Sequence, residues 1–76
     1  MKAHVLIIVR PGCIHEVIDN LRNVYEVTEA NMTFSPNDVA SVIETGIVNN
    51  IGWMLAQKIQ PIPGVLETLT CLIVDN

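Results

Sequence analysis

Lys58-Ile59-Gln60-Pro61-Ile62-Pro63-Gly64-Val65-Leu66-Glu67-Thr68-Leu69-Thr70-Cys71-Leu72-Ile73-Val74-Asp75 is the stretch that decides how this chain is read. A helix runs out, Pro-x-Pro-Gly turns the backbone, and a β-branched, threonine-bearing strand follows. Pro63 fixes φ and Gly64 is free to take φ > 0, so the pair predicts a sharp helix-to-strand corner. The strand, Val65 to Val74, carries apolar residues on both faces. It needs a helix layer on one side and another cover on the other. In a chain of 76 residues that second cover is most readily another copy of the same chain.

Upstream of this corner, Ile47, Ile51, Leu55 and Ile59 stand in helical register with Val48 and Met54 beside them, which predicts a helix over 47–59. Gly52 inside it weakens it by ~1 kcal/mol relative to Ala and reads as a tolerated surface glycine, or else as a point of close approach to a sheet or partner helix. Thr45-Gly46 separates that helix from a strand over 39–44. Ser35-Pro36-Asn37-Asp38 is a turn signal. Val24 to Phe34 reads as the preceding strand, with Val27, Glu29, Asn31 and Thr33 on one face and Thr28, Ala30, Met32 and Phe34 on the other. The short spacing makes these two strands an antiparallel hairpin. At the start, His4 to Val9 is a continuous β-branched run, ended by Pro11-Gly12. Ile14, Val17, Ile18 and Leu21 then follow the spacing of a one-sided helix. Its outer face carries His15, Glu16, Asp19, Asn20 and Arg22, and it should stop near Asn23.

The order is β-α-β-β-α-β. Right-handed crossovers turn it into an α+β, ferredoxin-like fold: a four-stranded antiparallel sheet with two helices on one face. The other sheet face is bare and carries apolar and threonine side chains. That predicts face-to-face pairing into a dimeric αβ sandwich.

Composition supports association. Half the residues are hydrophobic and 16% are charged, against about 25% charged in ordinary proteins. A chain of this size hides only about 60% of its unfolded surface when alone. Net charge is −4, and the only basic residues, Lys2, Arg10, Arg22 and Lys58, form no run. That argues against direct nucleic-acid binding. No basic amphipathic stretch suits a membrane surface. The longest apolar run, Val5 to Val9, is far too short to span a bilayer. The Met1-Lys2-Ala3-His4 start has no signal-peptide pattern, so a cytoplasmic protein is expected. Cys13 and Cys71 fit that compartment as free thiols and belong to no Cys-x-x-Cys pair.

From Ala3 to Asp75 the chain resembles a stand-alone ligand-binding domain of the Lrp/AsnC transcriptional regulators, the RAM module (regulation of amino acid metabolism). The resemblance rests on the opening strand with Pro11-Gly12 and the first helix. It rests further on Val27-Thr28-Glu29-Ala30-Asn31-Met32-Thr33-Phe34 as second strand. Its most specific part is Lys58 to Val74. The resemblance implies a single RAM-like domain over 1–76 that binds an effector and assembles. In the family a DNA-binding domain precedes the module; with Met1 directly at the first strand, that half is expected to be absent here. Family members dimerise through sheet faces, often build rings of dimers, and hold small amino acids between dimers near the turn joining the second and third strands. That turn usually reads Gly-x-Tyr-Asp; here Ser35, Pro36, Asn37 and Asp38 keep only the Asp.

The ligand-binding candidates are therefore Ser35, Asn37 and Asp38, with Thr68 and Thr70 on the terminal strand. Asp38 suits a ligand's ammonium and free backbone amides suit its carboxylate, although Asp after Ser-Pro-Asn is also ordinary turn chemistry. Thr68 and Thr70 are expected to pack at the dimer face. His4 and His15 read as exposed histidines rather than metal ligands. Cys13, near a helix N-terminus, reads as a small apolar filler. Trp53 with Met54 reads either as a partner-facing patch or as half-buried packing. Glu26, Glu29 and Glu44 read as solvated faces. No catalytic, metal or cofactor motif is present. A non-enzymatic module is expected, whose partners are itself, a small amino-acid effector and possible full-length Lrp/AsnC regulators. Two alternatives share the topology. One is a cofactor-free monooxygenase or isomerase of the dimeric α/β-barrel type, with His4, His15 and Tyr25 as acid-base groups. The other is a purely structural assembly domain.

Overall fold

The computed structural model describes residues 2–33, 38–46 and 50–73. The elements run β1 (Lys2–Val9), α1 (Ile14–Arg22), β2 (Val27–Met32), β3 (Asp38–Glu44), α2 (Asn50–Met54), a π-helical segment (Leu55–Ile59) and β4 (Val65–Ile73). The four strands form one sheet in the order β2-β3-β1-β4, and every neighbouring pair is antiparallel. This is the ferredoxin-like arrangement.

Alternation in the central strands decides which face is covered. Ala3, Val5, Ile7 and Val9 of β1 and Val39 and Ile43 of β3 are at most 1% exposed. They form a single core with Val17, Ile18 and Leu21 of α1, Ile51 and Met54 of α2, and Leu55 and Ile59 of the π segment. Both helices therefore lie on one face. Burying each large aliphatic of this layer contributes about 1.5–3 kcal/mol. Ser41 is buried among them and donates a 3.3 Å hydrogen bond from Oγ to the Val5 carbonyl.

The corner after the second helix is built as its residues dictate. The Gln60 N–H donates 2.8 Å to the Leu55 carbonyl, five residues back, which widens the last turn. Pro61 has no N–H to continue the ladder. Gly64 takes φ +98 and places its carbonyl 2.7 Å from the Arg10 N–H, joining the end of β1 to the start of β4. There it lies directly against Cys13 and Val17 of the α1 entry.

Three expectations need correction. The second helix is not a uniform α-helix to Ile59, because its last five residues are π-helical; residues 47–49 lie outside the described residues. The second strand does not begin at Val24: the Val24 N–H bonds the Leu21 carbonyl as the chain leaves α1, and pairing starts at Val27. A bulge between Val27 and Glu29 then breaks strict alternation, so Val27 and Ala30 both belong to the helix side, opposite Ile43 and Ser41.

Candidate functional site

Register places the residues of the uncovered face. Lys2, His4, Leu6 and Ile8 of β1 alternate with the core residues and point away from the helices. Opposite them stand Glu44, Val42, Ala40 and Asp38 of β3 on one side and Ile73, Cys71, Leu69 and Glu67 of β4 on the other. Glu29 and Asn31 continue the rows on β2. Leu6, Ala40, Val42 and Leu69 form an apolar middle of this face beside His4 and Cys71, with Ile8 and Ile73 toward the strand ends. Its borders carry Glu29, Asp38, Glu44, Glu67 and Lys2. Leu69 is 63% exposed. A shallow hollow of about 260 Å³ lies here, lined by Leu6, Ile8, Glu67, Thr68 and Leu69.

The sequence candidates do not converge on one spot. Ser35 and Asn37 lie outside the described residues. Asp38 opens β3 on the uncovered face, opposite Ile8. Its carbonyl accepts 3.3 Å from the Thr33 N–H and 3.5 Å from Thr33 Oγ1, which closes the hairpin stem. Thr68 and Thr70 stand opposite Ile7 and Val5, so both point to the helix side rather than to the face expected to pair. Thr68 Oγ1 accepts a 3.4 Å bond from Gln60 Nε2. The residue that does share the uncovered face with Asp38 is Glu67, across Ile8. Only strand register reveals it, since Asp38 and Glu67 are remote in sequence.

Sequence reasoning also missed two polar ties. Lys58 Nζ donates to both carboxylate oxygens of Glu26, at 2.9 and 2.8 Å. That bond is the main reason the Glu26 carboxyl titrates below its ordinary range, with partial burial opposing it. Glu26 is thus a brace between the π segment and the α1–β2 connection, not a solvated acid. Arg22 Nη2 donates 3.1 Å to the Ala30 carbonyl, tying the end of α1 to β2. A second hollow of about 360 Å³ follows this strand, lined by Arg22 and residues 27–31.

The histidines are exposed, and His4 stands opposite Cys71. Among the described residues no three His, Cys, Asp or Glu side chains group to hold a metal. Both cysteines are free thiols, and Cys13 packs against the core. Gly52 has open space around it, while Trp53 is 61% exposed. No helix among the described residues is long and apolar enough to cross a membrane.

A ferredoxin-like αβ layer with one sheet face uncovered defines the class. Among solved structures, the chain is similar to FFRP-DM1, with 25% identity, 96% of this chain and 97% of that chain covered, and a TM-score of 0.89. It is similar to TTHA0845 from Thermus thermophilus, at 23% identity over 99% of this chain and 94% of that chain, TM-score 0.90. It also resembles E. coli AsnC at 21% identity and TM-score 0.79, covering 97% of this chain but 52% of AsnC. No protein-family model matches the sequence, and no curated protein does. The chain therefore shares its fold with these proteins, AsnC among them.

Proposed function

We propose that this chain is a RAM-like module that binds a small effector, in the first instance an amino acid, and acts by assembling with copies of itself or with a full-length Lrp/AsnC-type regulator. The observation that carries the reading is the likeness to FFRP-DM1 over nearly the whole of both chains. The apolar, uncovered sheet face supports the assembly half, because contiguous exposed apolar surface marks an interaction site. The reading places the protein in the cytoplasm, with no direct nucleic-acid contact of its own. Support for a non-enzymatic role comes from the interior. Ser41 is its one buried polar residue among those described, and its hydroxyl is already engaged by the Val5 carbonyl.

The effector would sit at the β2–β3 connection, with Ser35, Asn37 and Asp38 receiving its ammonium and carboxylate; Thr68 and Thr70 would serve a neighbouring subunit's half of the pocket. The test is a thermal-shift screen of the twenty amino acids, paired with native mass spectrometry for subunit number and copurified small molecules. A shift of several degrees with one amino acid, lost in Asp38→Ala, is the expected result. No shift with any amino acid, together with a defined oligomer, removes the effector and leaves a purely structural assembly module. The turn's Ser35-Pro36-Asn37-Asp38 in place of the family's Gly-x-Tyr-Asp favours that second reading. A strictly monomeric protein removes the assembly half.

A further inference from the structure

The sheet has two edges, and they are treated differently. At β2, which has six residues, Arg22 occupies the Ala30 carbonyl, and a bulge at Thr28 twists the strand. These are the devices by which an edge is closed to pairing. At β4 the strand runs nine residues with no proline, lysine or arginine, and its single charge is Glu67. Its only irregularity lies at its first residues, opposite Ile8 and Val9. Six large hydrophobics are exposed among the described residues, and three of them, Leu66 (57%), Leu69 (63%) and Leu72 (49%), are on this strand. A long, unguarded, leucine-bearing edge is a template for another strand.

The order of side chains along β4 says which strand fits. We propose that the outer edge of β4 pairs antiparallel with β4 of a second copy about a two-fold axis at Leu69, making one continuous sheet across both chains. In that register Leu69 faces its own copy, Thr68 faces Thr70, Glu67 faces Cys71, and Leu66 faces Leu72. All three exposed leucines of each chain meet leucines. Cross-strand apolar and Thr–Thr pairs of this kind are the units of sheet stabilisation. The two Glu67 carboxylates lie about four residues, or ~13 Å, apart along the strands, beyond the ~8–10 Å screening length. Moving the axis to Thr68 sets Leu66 against Thr70 and Glu67 against Leu69. Moving it to Glu67 stacks the two acids, and moving it to Thr70 sets Glu67 against Ile73. Only the Leu69 axis is self-complementary. This contact uses the strand edge and stands whether or not the uncovered face is also paired; it packs Thr68 and Thr70 on each other and so competes with the pocket role proposed for them.

The test reads register directly. In a Cys13→Ala, Cys71→Ser background, Thr68→Cys and Thr70→Cys are made separately. Each alone has no thiol opposite it; mixed and mildly oxidised, they are expected to give a covalent dimer on a non-reducing gel. Both positions are on the helix side, so stacking the uncovered faces would hold these sulfurs apart on outer surfaces. Leu6→Lys, on the uncovered face, is expected to leave the cross-link intact. In the otherwise native chain, Leu72→Lys is expected to weaken association at least tenfold by sedimentation equilibrium. A mixture that gives no more covalent dimer than the two variants alone overturns the pairing. So does Leu72→Lys with unchanged association.

Discussion

Replacing Gly64 with alanine tests the corner on which the fold turns. Gly64 sits at φ +98, where a β-carbon brings strain of roughly 1–2 kcal/mol. The added carbon would also stand 2.7 Å from Cys13 Cβ and 3.2 Å from Val17 Cγ2. Neither neighbour is a flexible chain end: one is the β-carbon at the entry of α1, and the other belongs to a fully buried valine. Overpacking of that kind adds about 1–3 kcal/mol, so Gly64→Ala should cost about 2–5 kcal/mol in all. Gly12 is the internal control. It has φ +87 but nothing within 4 Å of an added carbon, so Gly12→Ala should cost only the strain, roughly 1–2 kcal/mol. Urea unfolding of the two variants at one protein concentration measures the difference, since association would otherwise shift apparent stability. At ~4–8 °C per kcal/mol for a domain this size, the melting temperatures should separate by several degrees or more. Measured against Cys13→Gly alone, Gly64→Ala should cost less than in the native chain, since the 2.7 Å contact is gone while the strain and the Val17 contact remain. Equal losses at Gly12 and Gly64, or a Gly64→Ala loss unchanged in the Cys13→Gly background, would refute the reasoning.

Glu26 titrates lower in the folded protein than unfolded, so the unfolded chain binds more protons as pH falls, and the brace stabilises above the ordinary carboxylate range. Its contribution should vanish as pH drops through the folded value; Glu26→Gln should flatten that part of a urea midpoint-versus-pH curve, by no more than ~1 kcal/mol. Ile7→Ala removes a wholly buried side chain from the central strand and should cost about 2–5 kcal/mol in urea. Arg22→Met should uncap the Ala30 carbonyl, lower stability by about 1 kcal/mol, and show faster amide hydrogen exchange in β2 than in β1.

Much of this was legible along the chain because it rests on local chemistry. The spacing of Val17, Ile18 and Leu21, the alternation of Ala3 to Val9, and the Pro63-Gly64 corner each follow from two or three adjacent residues. The candidate site was less legible. Thr68 and Thr70 were expected on the pairing face, but a strand's two faces look alike until its register against a neighbour is known. Here Thr68 falls opposite the buried Ile7.

The amino-acid order alone determined the sequence of elements, the turn glycines and the excess of apolar surface, because propensity, φ restriction and hydrophobic periodicity act within a few residues. Tertiary structure alone decided what the polar residues do. It set Lys58 on Glu26 and Arg22 on the Ala30 carbonyl, and it placed Asp38 and Glu67 on either side of Ile8. It also put β4 at a sheet edge. Each of these depends on strands or helices far apart in the chain coming into register, which only the packed sheet specifies.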